Sequence, residues 1–186
     1  MTKSYRQLLH QAPKCKLILQ YGVGLEGVDI EAATTLGIYV ANIPSDHTPN
    51  ALSCAEMAIF LMLALARDIH SMNTSVATRQ LGTPCGKTLY GAHALIIGFG
   101  GLARQLIPRL AALGMTMSCV RGNAGHWHTG HGGSHGDVAR LLAGRGGVED
   151  LPVMLPDADY VVVTCSQVRC CPVGEVDCKW VVRVCA

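Results

Sequence analysis

Nine residues, Leu95-Ile96-Ile97-Gly98-Phe99-Gly100-Gly101-Leu102-Ala103, have the types and spacing from which a phosphate cradle is built. The stretch fits G-x-G-x-x-G/A, follows an apolar run and opens a helical pattern. Gly98 permits a tight turn, Gly100 leaves room for a pyrophosphate to approach the backbone, and Ala103 is small enough for the helix to pack on the strand. Unpaired N–H groups at the positive helix end would then face the phosphates. Gly98, Phe99, Gly100, Gly101, Leu102 and Ala103 are therefore the candidate cofactor-binding residues. A plain strand-to-helix turn with incidental glycines is the bland alternative, and the strand–turn–helix context argues against it.

The end of the next strand selects between dinucleotides. An acid there binds an adenosine ribose 2′-OH, whereas an arginine suits a 2′-phosphate. Reading Met117-Ser118-Cys119-Val120 as that strand places Arg121 at the deciding position, followed by Gly122 and Asn123 with no acid nearby. NADP is favoured over NAD. The alternative is that Arg121 is a solvated loop residue.

These groups need a scaffold, and the hydrophobic pattern supplies one. Lys16 to Gln20 reads as a short buried strand, Val28 to Leu36 as a helix stopped at Gly37, and Ile38 to Ala41 as a second strand. Ala51 to about Met72 reads as one long helix, apolar nearly all round and so buried on several sides. Thr74 to Tyr90 is polar and punctuated by Gly and Pro, a connector. Then follow strand His93 to Ile97, helix Leu102 to Leu113, strand Thr116 to Val120, a Gly/His loop from Gly122 to Gly136, helix Asp137 to Ala143, a short helix from Val148 to Leu155, and strand Asp159 to Thr164. Alternating strands and helices imply a parallel sheet with right-handed crossovers.

Composition sets broad limits. With 49% hydrophobic and 15% charged residues in 186, a packed core is affordable. A net charge of +2 with no Lys/Arg run gives no ground for a nucleic-acid or membrane surface. The N-terminus lacks an apolar signal core, and Met57 to Ala66 is too short to span a bilayer, so a cytoplasmic location is expected. Nine cysteines without a CxxC pair are read as reduced thiols.

A further set of motifs resembles the D-isomer-specific 2-hydroxyacid dehydrogenases. Tyr21-Gly22-Val23-Gly24-Leu25-Glu26-Gly27-Val28-Asp29 is similar to that family's G-x-G-x-D-x-x-D turn, and Val40-Ala41-Asn42-Ile43-Pro44 to its V-x-N-x-P. Ser53-Cys54-Ala55-Glu56 and Leu65-Ala66-Arg67 resemble its A-E…L-A-R segment. Leu89-Tyr90-Gly91, the glycine turn, Leu113-Gly114-Met115 and Ala158-Asp159-Tyr160-Val161-Val162 follow in family order, from about Leu8 to Gln167. The resemblance implies an NAD(P)-dependent oxidoreductase acting on the CH–OH group of 2-hydroxy acids, a 2-ketoacid reductase. It implies that backbone N–H groups around Val23 and Gly24 bind the substrate carboxylate, and that the loop before Ser53 borders the nicotinamide. It also implies α/β architecture: an incomplete Rossmann domain, a doubly wound parallel sheet, preceded by part of a flavodoxin-like substrate domain. The expected division is 1–72 for partial substrate domain and linking helix, 73–167 for the first half of the NAD(P)-binding domain, and 168–186 for a tail unlike the family.

Departures qualify that expectation. In the family, a catalytic Arg holds the substrate and a His oriented by a Glu supplies the proton, since charge develops on the carbonyl oxygen. No segment of this sequence matches them, and Arg169 and Arg183 lie in no matching motif, so no catalytic residue is assigned. The chain is expected to be a form truncated at both ends that binds dinucleotide with little or no turnover. The alternative is a non-catalytic interaction protein, a homodimer or one that pairs with a full-length relative. Glu26 stands where the family has Asp, and Gly91-Ala92-His93 where it has G-K-T.

Other signals are weaker. His126, His128, His131 and His135 have spacing that zinc or nickel could use, but a glycine-rich loop fixes no geometry, so no metal site is assigned. Gly86-Lys87-Thr88 precedes a strand instead of a helix and is not read as a phosphate loop. Isolated His10, His47, His70 and His93 are read as local structure. With later strands missing from a 3-2-1-4-5-6 sheet, His93 to Ile97 is expected to lie at an unpaired edge, making the chain unstable or associating unless Trp180 to Val184 pairs as a replacement strand.

Overall fold

The computed structural model describes residues 7–25, 27–44, 48–122, 127, 135–165 and 182–184. Two compact units divide it, Met1–Thr48 and Pro49–Ala186.

The first unit has two parallel strands, β1 (Leu17–Gln20) and β2 (Tyr39–Asn42), in register Leu17 to Tyr39 through Gln20 to Asn42. Helix α1 (Ile30–Thr35) joins them. The Asp29 carboxylate accepts the Ala32 N–H at 2.9 Å, a standard N-cap. Leu36 caps the other end, and Gly37 turns the chain at a φ of +67°, where a Cβ would be strained. Leu9, Ala32, Ala33 and Ile38 form a small core with Ile18 and Val40 against it.

The second unit is an α/β layer structure on a five-stranded sheet of order β5-β4-β3-β6-β7. Its strands are β3 (His93–Ile97), β4 (Thr116–Val120), β5 (Gly144–Gly146), β6 (Tyr160–Val163) and β7 (Val182–Val184). The first four run parallel, and β7 lies antiparallel against β6 with Val162 opposite Val182. Strand β3 is central and buried on both sides. Ala94 and Ile96 enter a cluster with Leu106, Ile107, Leu110, Ala58 and Met62, while Leu95 and Ile97 meet Val120, Leu151 and Val161 on the other face. A strand covered on both faces reads as a continuous apolar run instead of an alternation, as Ala94-Leu95-Ile96-Ile97 does.

The sheet corrects the expected edge. Gly144–Gly146 is the third strand, which sequence reading passes over, so Tyr160–Val163 is the fourth and flanks β3 opposite β4. Both rows of β3 backbone groups are thereby paired, so the unpaired edge expected at His93 to Ile97 is absent. The overlooked strand, Gly-Arg-Gly, carries no β-forming residue, and both its glycines are crowded by neighbouring side chains. A Cβ on Gly144 would sit 2.7 Å from the Ser118 Oγ, and one on Gly146 2.8 Å from an Asp150 carboxylate oxygen.

The helix expected from Ala51 to Met72 is two, α2 (Asn50–Ala66) and α3 (Ile69–Ala77), so the connector begins later than expected. Asp68 between them is left-handed at φ 47°, and its side chain accepts the Ser71 N–H. A tertiary contact also lies at the interruption. The Lys87 N–H donates to the Ala66 carbonyl at 2.6 Å, and the adjoining chain runs so close that a Cβ on Gly86 would lie 2.8 Å from the Arg67 Cα. Grouped by sequence with residues 1–72, α2 packs within the second unit, where its small side chains Ala55 and Ala58 admit α4 (Gly101–Ala112) closely. Short helices α5 (His135–Ala139) and α6 (Leu151–Met154) complete the unit. No helix among the described residues is long and apolar enough to cross a membrane.

Candidate functional site

The glycine turn sits at the carboxyl end of the central strand. The Gly98 N–H donates to the Val120 carbonyl at 2.7 Å, while the Thr164 hydroxyl donates to the Gly98 carbonyl at 2.9 Å. The turn is thus tied to both neighbours, β4 and the segment after β6. Gly98 has a φ of +105°, and a Cβ there would meet the Cys165 backbone nitrogen at 2.8 Å. Gly100 caps α4 in extended conformation with no side-chain cap, and a Cβ on it would find nothing within 4 Å. Ala103 is fully buried against the sheet, while Phe99 and Leu102 are half-buried beside it. The first-turn N–H groups of α4 have no partner within the helix and emerge at its positive end. The groups expected to cradle a pyrophosphate therefore occur together, beside an open space at Gly100.

Arg121 follows β4 directly, and its N–H donates to the Gly146 carbonyl at 3.1 Å. Its guanidinium carbon lies 5.5 Å from the centroid of the Trp127 indole, and that of Arg145 lies 5.8 Å from the same ring. The indole N–H donates to the Gly146 carbonyl at 2.9 Å, and the Phe99 ring stands 5.0 Å away, tilted by 55°. Trp127 thus joins the glycine turn to the ends of β4 and β5. Sequence reading missed Trp127, Arg145 and Thr164. Trp127 lies within a Gly/His stretch, and Arg145 on a strand too short to register.

In the first unit, Val23 and Gly24 lie on the loop after β1. The Asn42 side-chain amide donates to the Val23 carbonyl at 2.8 Å, and the Ile43 N–H to the Gly22 carbonyl at 3.1 Å. The asparagine of the V-x-N-x-P run therefore holds the loop that carries Val23 and Gly24. Among the described residues, no hydrogen bond takes up their N–H groups. Glu26, His126, His128, His131 and the tail residues Arg169 and Trp180 lie outside the described residues.

Beneath the turn, the fully buried Cys119 thiol points at the Gly98 carbonyl, 3.6 Å away. Burial pushes its pKa up to about 12 from 9.0, against the opposing pull of the Arg121 charge. The fold therefore favours the protonated thiol. This contribution is complete below pH 9.0 and is lost as pH rises through about 12. Tyr160, raised by burial and then by Asp159, acts in the same sense. Urea unfolding should show stability falling above pH 9.0, with a shallower fall in Cys119→Ala; equal slopes would contradict the assignment.

Residues 1–130 match the family model described as "D-isomer specific 2-hydroxyacid dehydrogenase, catalytic domain". The D-3-phosphoglycerate dehydrogenase of Methanocaldococcus jannaschii is 36% identical over 118 residues, covering 62% of this chain and 22% of that protein. The glyoxylate reductase of Thermococcus litoralis is 36% identical over 119 residues, covering 59% of this chain and 35% of that one. In fold, the chain is similar to the crystal structure of a glyoxylate reductase from Paecilomyes thermophila, with a TM-score of 0.69 at 22% identity over 88% of this chain and 46% of the other. The matched regions thus span about a fifth to a half of these relatives' lengths.

Proposed function

The chain belongs to the D-isomer specific 2-hydroxyacid dehydrogenase family, and on that premise we propose that its second unit binds a nicotinamide dinucleotide, NADP in preference to NAD. One observation carries this reading. The Gly98–Ala103 turn ends the central strand, between β4 on one side and β6 on the other, where the crossovers diverge and ligands of such sheets bind. The fit to a dinucleotide is supported by the open space at Gly100 and the free helix end, which suit a pyrophosphate. Arg121 is the residue that would meet a ribose 2′-phosphate, a reading supported by the absence of a paired carboxylate among the described residues. When bound, the nicotinamide supplies or accepts hydride. The residues of this chain bind and orient: Gly98, Phe99, Gly100, Gly101, Leu102 and Ala103 at the pyrophosphate, Arg121 at the 2′-phosphate, and the Val23 and Gly24 N–H groups at the carboxylate of a 2-keto or 2-hydroxy acid.

In this reading the 186-residue chain binds dinucleotide without turning over a keto acid, because none of its segments matches the catalytic Arg, Glu and His segments. A cytoplasmic location belongs to the same reading. Calorimetry should show 2′,5′-ADP binding more tightly than 5′-AMP. Arg121→Ala should weaken the former by about tenfold to a hundredfold, the value of a charged hydrogen bond. Equal affinities would remove the NADP assignment. NADPH oxidation with glyoxylate, hydroxypyruvate or phenylpyruvate should be absent, and activity that disappears on Gly100→Asp would refute the non-catalytic part.

A second reading, association with another copy or with a full-length relative, is favoured by the surface of the first unit. Leu17, Leu19, Tyr21 and Tyr39 are 54%, 60%, 93% and 78% exposed, more apolar surface than a two-stranded sheet keeps wet without cost. Light scattering after size exclusion should show a dimer or a co-purified longer chain; a monodisperse monomer in isolation would argue against it.

A further inference from the structure

We propose that Arg145 is a second cation of the 2′-phosphate subsite, sharing the Trp127 indole with Arg121. The inference rests on the dinucleotide reading above and extends it to a residue on a different strand. Its ligand class is a nucleotide that carries a ribose 2′-phosphate monoester dianion.

Three observations meet here. Both guanidinium carbons lie within 6 Å of one indole centroid, at 5.5 and 5.8 Å. That indole is fixed by its hydrogen bond to the Gly146 carbonyl and by the Phe99 ring of the glycine turn. The strands are adjacent and parallel, with Cys119 opposite Arg145 and Val120 opposite Gly146, so residues 121 and 145 leave the same end of the sheet region. One Arg145 N–H goes to the Ala139 carbonyl at 2.5 Å, and a guanidinium has five donors.

The electrostatics point to an anion. Two like charges converge on one ring, and among the described residues neither has a carboxylate partner. The indole face attracts both cations through its quadrupole but does not neutralise them. A phosphate monoester, with a second pKa near about 6, is close to a dianion at neutral pH and accepts bidentate hydrogen bonds from guanidinium. Arginine suits the position because its plane stacks on an aromatic ring while its edge still donates, which a lysine ammonium does less well.

The test uses calorimetry on the full chain with 2′,5′-ADP, 5′-AMP and inorganic phosphate. Arg145→Gln should weaken 2′,5′-ADP by about five- to tenfold and leave 5′-AMP within about twofold, a smaller effect than at Arg121 because Arg145 is exposed. Arg145→Lys should recover part of the loss, and the salt dependence of 2′,5′-ADP binding should be shallower in Arg145→Gln than in the wild type. If Arg145→Gln binds 2′,5′-ADP like the wild type while Arg121→Gln does not, the proposal falls and the dinucleotide reading stands. Equal weakening of both nucleotides would make Arg145 a structural residue and also overturn it. Inorganic phosphate binding as tightly as 2′,5′-ADP would mean a free-anion site and overturn the nucleoside part. If the wild type binds 2′,5′-ADP no better than 5′-AMP, or binds neither, the reading and the proposal fall together.

Discussion

Gly98→Val should abolish dinucleotide binding and lower the free energy of unfolding by about 2–6 kcal/mol. Two costs combine. Gly98 has a φ of +105°, where a β-branched residue is strained by about 1–3 kcal/mol. Its Cβ would also lie 2.8 Å from the Cys165 nitrogen and 3.0 Å from the Cys165 Cβ. A backbone atom cannot rotate aside like a side-chain tip, so the chain itself must shift, at a further cost of about 1–3 kcal/mol. That shift would pull on the bond from the Gly98 N–H to Val120 and on the one it accepts from the Thr164 hydroxyl, which together hold the turn between its neighbours. Urea unfolding with NADPH titration measures both effects. A variant as stable as the wild type would show that the turn is not under this constraint.

Gly100→Asp should separate the same two properties. Nothing lies within 4 Å of a Cβ at this position, and the residue caps α4 in extended backbone, a place that Asp favours. Stability should therefore change by less than about 1 kcal/mol, with a gain as the expected direction. Binding should fall by about a hundredfold or more. The new carboxylate would occupy the space left for a pyrophosphate and repel it, and like charges about 4 Å apart cost about 4 kcal/mol at an effective dielectric constant near 20. Unfolding and NADPH affinity measured on one preparation decide the matter. Retained affinity in a folded Gly100→Asp variant would move the phosphate site away from the turn, and joint loss of fold and affinity would give Gly100 a structural role instead. The contrast between two glycines only two residues apart follows from what surrounds each: Gly98 is confined by the chain after β6, and Gly100 faces open space.

Much of this was legible in the linear chain because it depends on local rules. After His93, the strand is apolar from Ala94 to Ile97, as a doubly covered strand is, and its bounds coincide with those read from sequence. Thr116–Val120 likewise appears where expected, and α4 begins at the glycine turn. Asp29 and Gly37 mark the ends of α1 by short-range hydrogen bonding and backbone conformation, which sequence carries directly. The nine residues of the glycine turn and the position of Arg121 belong to the same class: spacing along one chain sets their order, and the strand–turn–helix context sets their role.

What depended on distant neighbours could be decided only in three dimensions. The third strand has glycines at both ends, where the Ser118 and Asp150 side chains crowd the place of a Cβ, and its sequence carries no β-forming pattern. Missing it displaced the fourth strand from its place beside β3 and produced a false edge. At the break, Asp68 caps the second helix locally, while the Lys87 N–H takes the Ala66 carbonyl from far along the chain. The grouping of Arg121, Trp127 and Arg145 comes from strand adjacency. By itself, the sequence determined most of the strands and helices of the second unit and where the glycine turn lies, since periodicity and backbone preference act over a few residues. Only the tertiary structure decided which strand pairs with which and which side chains converge on the turn, because pairing and packing are set by contacts between residues far apart in the chain.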